Sequence, residues 1–215
     1  MLPARCHAAV ATAPGTTELH DLPLPRIGPD DGLLRVEAAG ICGTGWELYL
    51  RESRGRGLGP LILGHENVGQ VVALGERAAE RWGVTDGDHV AVEEFLPCGT
   101  CRLCRAGSYR LCEAIDSRSG RPFLHDGGTP LTVPPGLYGG FSQYLYLHPR
   151  AIVHPIGVRG HDQRSVAPAI DLIRSNRFPL HLLCTHAFGL HEADRALRVA
   201  GARLDREAIH VSIVP

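Results

Sequence analysis

Apolar and polar positions alternate in short runs through the first two-thirds of the chain. Ala8-Ala9-Val10-Ala11-Thr12-Ala13, stopped by Pro14-Gly15, predicts a first strand and its turn. Leu33–Ala38, Gly69–Leu74 and His89–Val92 carry the β-branched and alternating pattern of further strands. Gly75-Glu76 and Asp86-Gly87-Asp88 punctuate them as turns. Few stretches before residue 157 have a helical period. Short strands with frequent turns predict a mainly β, barrel-like domain. The segment from Ser117 to Gly140, dense in glycine and proline, is too irregular for a regular element and is expected to line or cover a cleft.

The tail reads differently. Ser165 can cap a helix in which Val166, Ile170 and Ile173 recur at helical spacing, with Ala169 and Leu172 beside them and Asn176 as its stop. Leu190, Ala193, Leu197 and Ala200 mark a second helix, with Gly201 expected at its C-terminal cap. Ala208–Ile213 predicts a final strand. The whole is therefore mainly β with an α/β tail.

Composition narrows the classes. The chain has 215 residues, 44% of them hydrophobic, and a formal net charge of −1 with neutral histidines. Those values describe a globular protein without the basic surface that nucleic acid or an acidic membrane would demand. No apolar run reaches the length of a membrane span. Ala8–Ala13 is too short and too weakly apolar for a secretory leader. Seven cysteines, four of them clustered, fit a reducing cytoplasm and a bound metal.

Those four are Cys98, Cys101, Cys104 and Cys112, a C-x2-C-x2-C-x7-C run. Four thiolates at such spacing can close a tetrahedral zinc site within one small lobe. Gly99, Gly107 and the arginines 102, 105 and 110 make the run read as loop. A disulfide is the competing reading, which the absence of secretory context disfavours. An iron–sulfur cluster is another, though the spacing is not a usual ferredoxin run. Cys6 and Cys184 have no partners by motif and are expected to be buried thiols.

The neighbourhood of the run carries a resemblance. Upstream lie Gly40-Ile41-Cys42-Gly43-Thr44 and Gly64-His65-Glu66, and downstream lies Gly139-Gly140-Phe141-Ser142-Gln143-Tyr144. In this order, with the cysteine lobe between, the motifs resemble the zinc-dependent medium-chain alcohol dehydrogenases. The resemblance implies a GroES-like catalytic domain over residues 1–156, with a structural zinc lobe at 96–114. It implies that 157–215 is a tail: a remnant of the last strand (Gly157-Val158-Arg159-Gly160) and helix of the nucleotide domain, then a return to the catalytic domain. The rest of the dinucleotide-binding domain has no counterpart.

The resemblance further implies a catalytic zinc held by Cys42, His65 and Glu66, with Glu66 alternatively supporting the site from behind the ligands or binding only transiently, and Thr44 as the hydroxyl that passes the substrate proton. A thiolate and an imidazole can hold zinc while leaving a position open. Thr44 also reads simply as a turn residue bonded to its own backbone. Gly45 departs from the family, which usually has an aspartate there, oriented toward the metal-bound histidine. Such a loss commonly costs about 10–100-fold in metal affinity or activity. A further ligand usually comes from the chain entering the nucleotide domain. Glu93, Glu94 or His154 could replace it, though each also reads as an ordinary surface or core residue.

No nucleotide fingerprint is present. Gly55-Arg56-Gly57-Leu58-Gly59-Pro60 is the nearest approach to G-x-G-x-x-G, but its spacing is wrong and it lacks a strand–helix context. Arg51 to Gly59 reads as a solvated loop. The cofactors expected are therefore one structural and one catalytic zinc, with NAD(P) not expected. The functional expectation is a truncated or non-redox derivative of a zinc-dependent dehydrogenase. A zinc-dependent lyase, hydratase or isomerase on a hydroxy or carbonyl compound is one alternative. A dehydrogenase half completed by another chain is the other. The expected partners are a small-molecule substrate and a second copy of the chain, without nucleic acid or membrane. The dimer contact is placed at 157–176, where an apolar stripe lacks its sheet.

Overall fold

The computed structural model describes residues 1–50, 59–115, 124–156, 166–201, 204, 205 and 207–215, with the side chains of 166–169 not described. The expectations at 51–58, 117–123, Gly157–Gly160 and Ser165, and for the Val166 and Ala169 side chains, lie outside the described residues.

In chain order the elements are β1 (Arg5–Ala13), β2 (Thr16–Pro23), β3 (Gly32–Gly40), α1 (Gly43–Leu50), β4 (Leu61–Ile62), β5 (Glu66–Leu74), α2 (Glu76–Trp82) and β6 (His89–Val92). There follow α3 (Arg102–Arg105), β7 (Tyr144–Leu147), β8 (Val153–Pro155), α4 (Val166–Arg174), β9 (Cys184–Phe188), α5 (Ala193–Gly201) and β10 (His210–Ile213). Two sheets form. One is small, in the order β2-β1-β4; the other runs β8-β6-β5-β3-β10-β9, with β7 also paired to β3. All pairings are antiparallel except β9 with β10.

The strands sit where alternation predicts them. On β3, Leu34 and Val36 are buried and Arg35 and Glu37 exposed, the signature of a strand with one face on the core. Cys6, Ala8 and Val10 of β1, Val71 of β5 and Val90 of β6 join the same core. Burial of a side chain such as Leu34, which has no exposed surface, contributes about 1.5–3 kcal/mol. Helices appear where alternation announced none. Gly75 is not a plain turn but the residue before α2, whose Ala78 and Trp82 are buried. α1 follows directly on Cys42 and buries Leu48 and Tyr49. Between 124 and 143 no strand or helix forms among the described residues, as expected of that segment.

The tail docks on the β domain. Ala193, Ala196, Leu197 and Val199 of α5 are buried, and Asp194 Oδ1 accepts hydrogen bonds from Thr17 N at 2.7 Å, Thr17 Oγ1 at 2.8 Å and Tyr49 OH at 3.1 Å. Asn176 stops α4 in the left-handed region at φ 51°. Gly201, expected beyond the second helix, is instead its last residue. A Cβ there would lie 2.0 Å from the Trp46 ring, so glycine is needed for α5 to approach α1. Cys6 is buried as expected. Cys184 is exposed instead, because β9 lies at the sheet edge, paired among the described residues with β10 alone.

Candidate metal centre

Among the described residues, two groups gather three or more metal-ligating side chains with their ligand atoms within 4.8 Å of one another: Cys98, Cys101, Cys104 and Cys112, and Cys42, His65 and Glu66.

The first group is compact. Sγ–Sγ separations are 3.5 Å for Cys98–Cys112 and 4.0 Å for both Cys98–Cys104 and Cys101–Cys112. Zinc–sulfur bonds of 2.3 Å at tetrahedral angles place sulfurs ~3.8 Å apart, so the four thiolates fit zinc. They are too far apart for the ~2.05 Å of a disulfide. The local fold serves the sulfurs. Backbone N–H groups of Cys101 and Cys104 point at Cys98 Sγ and Cys101 Sγ, at 3.3 and 3.4 Å, and that of Cys98 at Cys112 Sγ, at 3.3 Å. The run is not all loop: Cys101 caps the single helical turn α3, and short 3-10 turns follow at Tyr109–Leu111 and Glu113–Ile115. The thiols do not ionise alike. Hydrogen bonds from Thr100 and the Cys101 N–H hold Cys98 down to about 5, whereas burial and neighbouring thiols push Cys104 up to about 12. Filling the site with metal therefore displaces a proton.

The second group lies where β3 ends and β5 begins. Cys42 Sγ is 2.9 Å from His65 Nε2, and Gly45 N–H points at the same sulfur from 3.4 Å. Burial opposes ionisation of Cys42, but the His65 bond and the Gly45 N–H outweigh it and hold the thiol below its usual range. Burial likewise works against a charged His65, and the bond to Cys42 outweighs it, raising its pKa. The two shifts favour the charged form of each partner, and a thiolate and an imidazole are donors that suit zinc. Two motif glycines make the geometry possible. Gly64 lies in the left-handed region at φ 93°, and a Cβ there would meet the Phe141 ring at 2.6 Å. Gly40 pairs with Glu66 across the sheet, and a Cβ on it would sit 2.1 Å from Glu66 Oε2, displacing the carboxylate. The Gly139–Phe141 motif closes the same corner: Gly140 N donates to Gly64 O at 2.9 Å and Phe141 N to Leu63 O at 2.9 Å. Thr44 is exposed in the first turn of α1. A Cβ at Gly45 would meet no atom within 4 Å, so the space an acidic side chain would enter is open.

The three residues named as replacement ligands separate. Glu93 is engaged elsewhere, accepting from Tyr109 OH at 2.9 and 2.7 Å and lying 2.7 Å from His154 Nε2. His154 is buried in that pair. Glu94 faces the site: its Oε2 is 3.4 Å from His65 Nε2, and its Oε1 accepts from Arg110 of the cysteine lobe. Behind the site lies a buried acid that sequence reasoning missed. Asp126 is 2% exposed, and its Oδ1 has no hydrogen-bond partner among the described residues. Burial pushes its carboxyl up to about 8. Its neighbour His125, with Nδ1 2.8 Å from the Asp126 carbonyl oxygen, is held down to about 4 by burial. Nothing in His125-Asp126-Gly127-Gly128 announces burial, since charged residues beside glycines ordinarily read as a surface turn.

Comparison with known proteins agrees with this architecture. Residues 28–157 match the family described as Alcohol dehydrogenase GroES-like domain. A probable alcohol dehydrogenase from Mycobacterium tuberculosis is 46% identical over 146 residues, covering 68% of this chain and 38% of that protein. A probable D-xylulose reductase A from Aspergillus fumigatus is 32% identical over 196 residues, covering 87% of this chain and 54% of that protein. The chain thus spans between about a third and about a half of these curated relatives' length. In fold it is similar to alcohol dehydrogenase TADH from Thermus sp. ATN1, with a TM-score of 0.73, 16% identity and coverage of 97% and 99% of the two chains.

Proposed function

Because the chain belongs to the zinc-dependent medium-chain alcohol dehydrogenase family, we propose that it is a zinc-binding, non-redox derivative of such an enzyme. In this reading it keeps a metal site in its catalytic domain and does not bind NAD(P) by itself. The observation that carries the reading is the convergence of Cys42, His65 and Glu66 within 4.8 Å. Cys42 and His65 are zinc's preferred sulfur and nitrogen donors, and Glu66 adds an oxygen. Zinc bound there would supply Lewis-acid polarisation of a hydroxyl or carbonyl oxygen. Cys42 and His65 hold the ion, and Glu66, against Gly40, binds it or moves aside for substrate. Thr44, exposed two residues from Cys42, passes the substrate proton. The four-cysteine lobe holds a second, structural zinc.

Hydride transfer needs a nicotinamide held against the bound alcohol, and that chemistry belongs to the cofactor. Dinucleotide binding uses a glycine-rich turn, a helix N-terminus and an acidic residue for the ribose. The sequence offers no such constellation. Residual contacts would give millimolar affinity, worth about 4 kcal/mol. What remains possible for the polarised oxygen is addition, elimination or isomerisation on a hydroxy or carbonyl compound.

Metal content per chain and calorimetry with NADH test the reading. Two zinc ions are expected, the one at Cys42 and His65 leaving first to a mild chelator, with no NADH binding below the millimolar range. A single zinc, unaffected by Cys42→Ser, overturns the second site. Micromolar NADH affinity overturns the non-redox reading and restores an ordinary dehydrogenase.

A further inference from the structure

We infer that Glu94 is a ligand of the metal at Cys42 and His65, aimed into the site by Arg110 of the cysteine lobe. The inference deepens the zinc reading above and rests on it.

Glu94 approaches the imidazole of His65 at Nε2. A carboxylate that merely orients a metal-bound histidine takes the ring nitrogen facing away from the metal. Glu94 Oε2 instead lies 3.4 Å from Nε2, the nitrogen that also faces Cys42 Sγ at 2.9 Å. Sulfur, nitrogen and carboxylate oxygen therefore share one side of the imidazole. Zinc bonds of about 2.0–2.2 Å to nitrogen and oxygen, at tetrahedral angles, separate those atoms by ~3.4 Å. The Glu94–His65 spacing already has that value.

The carboxylate is also held for the task. Its side chain is only 19% exposed, and Arg110 takes Oε1, leaving Oε2 to the site. The Arg110 guanidinium lies over the Phe95 ring, 4.9 Å from its centroid. Arg110 sits two residues before Cys112, so the zinc lobe fixes the arm that positions Glu94. Adjacent Glu93 cannot serve, because its two oxygens are taken by Tyr109 and His154. Cys42, His65 and Glu66 already gather within 4.8 Å of one another, and Glu94, which stands outside that cluster but against His65 Nε2, would close in on a bound ion as the fourth protein donor.

The test is zinc affinity at this site by chelator competition, on the 215-residue chain with the lobe already loaded, comparing wild type, Glu94→Gln and Cys42→Ser. Glu94→Gln should weaken the site at least tenfold while the lobe zinc and the melting temperature are retained. With cobalt in place of zinc, its visible absorption band should shift while the thiolate charge-transfer band persists. A loss of less than tenfold, with an unshifted band, overturns the role of Glu94. Cys42→Ser keeps that failure separate from failure of the site. If it abolishes the second metal, the zinc reading stands whatever Glu94 does. If it does not, the site itself is wrong, and this inference falls with it. Should Glu94→Gln fail to fold, Glu94→Asp keeps the charge and shortens the reach, and the same tenfold criterion applies.

Discussion

Tyr109 reaches out of the cysteine lobe to place its hydroxyl on both carboxylate oxygens of Glu93, at 2.9 and 2.7 Å. The next residue on each side of the contact repeats the pattern, Arg110 on Glu94. The lobe is therefore latched to the β domain by two neighbouring side chains on two neighbouring carboxylates. Tyr109→Phe should lower unfolding free energy by about 1–2 kcal/mol, the worth of a half-buried bond to a charged group. Burial opposes the ionised Glu93, but the His154 and Tyr109 bonds outweigh it and lower its pKa. A lowered carboxyl stabilises above its unfolded value of about 4.3, and the benefit fades as pH falls through the folded value. The gap between wild type and Tyr109→Phe in urea titrations should therefore close in acid. A gap that does not narrow as pH falls below the unfolded carboxyl value would contradict the assignment.

The lobe should owe its order to metal. Structural zinc sites in small peptides are worth roughly 10–16 kcal/mol in apparent terms, far more than the hydrogen bonds within residues 96–114. Cys101→Ser removes one ligand and the sulfur that accepts from Cys104 N at 3.4 Å. Proteolysis should then cut within 96–114. Retention of tight metal and full protease resistance would count against a structural zinc.

Asp126 should impose a pH dependence of its own. Its carboxyl is pushed up to about 8 by burial, against the opposing charge of His65. The unfolded value is about 3.9. Between these values the folded chain keeps a proton that the unfolded chain has lost, so stability falls as pH rises across that window. Asp126→Asn cannot titrate. Its melting temperature relative to wild type should climb from pH 5 to pH 8, with the free-energy gap widening by up to about 1.4 kcal/mol per pH unit. A gap constant with pH would remove Asp126 as the cause.

Self-association is the fourth expectation. Ile173 and Leu172 of α4 are 61% and 38% exposed, and Phe178, Leu182 and Leu183 after it are exposed as well. An apolar surface of this kind usually finds a partner. We expect a homodimer through 157–176, with Ile173→Asp shifting sedimentation toward monomer. A monodisperse wild-type monomer at high micromolar concentration would sink the idea.

Legibility from sequence followed the range of each physical rule. Strands β3, β5 and β6 were readable because alternation is local and one face of each meets the core. The four-cysteine run was readable because its ligand spacing is local, whereas Cys42 and His65, far apart in the chain, were expected only through the resemblance that their flanking glycine motifs carry. α1 was not, since Gly43-Thr44-Gly45 reads as a turn and the helix is held by packing of Leu48 and Tyr49. α2 was hidden behind Gly75 for the same reason. Glu93 and Glu94 looked equivalent in sequence. Only the return of the chain through Tyr109 and Arg110 sends one to His154 and the other to His65. The exposure of Cys184 and the burial of Asp126 are both set by which segment covers them, which no local pattern records.

The order in which the polypeptide is made has a consequence for the metal pocket. β3 is flanked at its far end by β10, with Ser212 opposite Gly40 and Ile41 N donating to Val211 O at 2.9 Å. The loop carrying Cys42 is thus pinned by a segment translated some 170 positions later. A ribosome at a few residues to a few tens per second delivers that segment many seconds after Cys42 emerges. Through that interval the thiol hangs on an unclosed sheet edge, open to oxidation and to stray metal. The cysteine lobe, complete within fifteen residues of the chain, has no such wait.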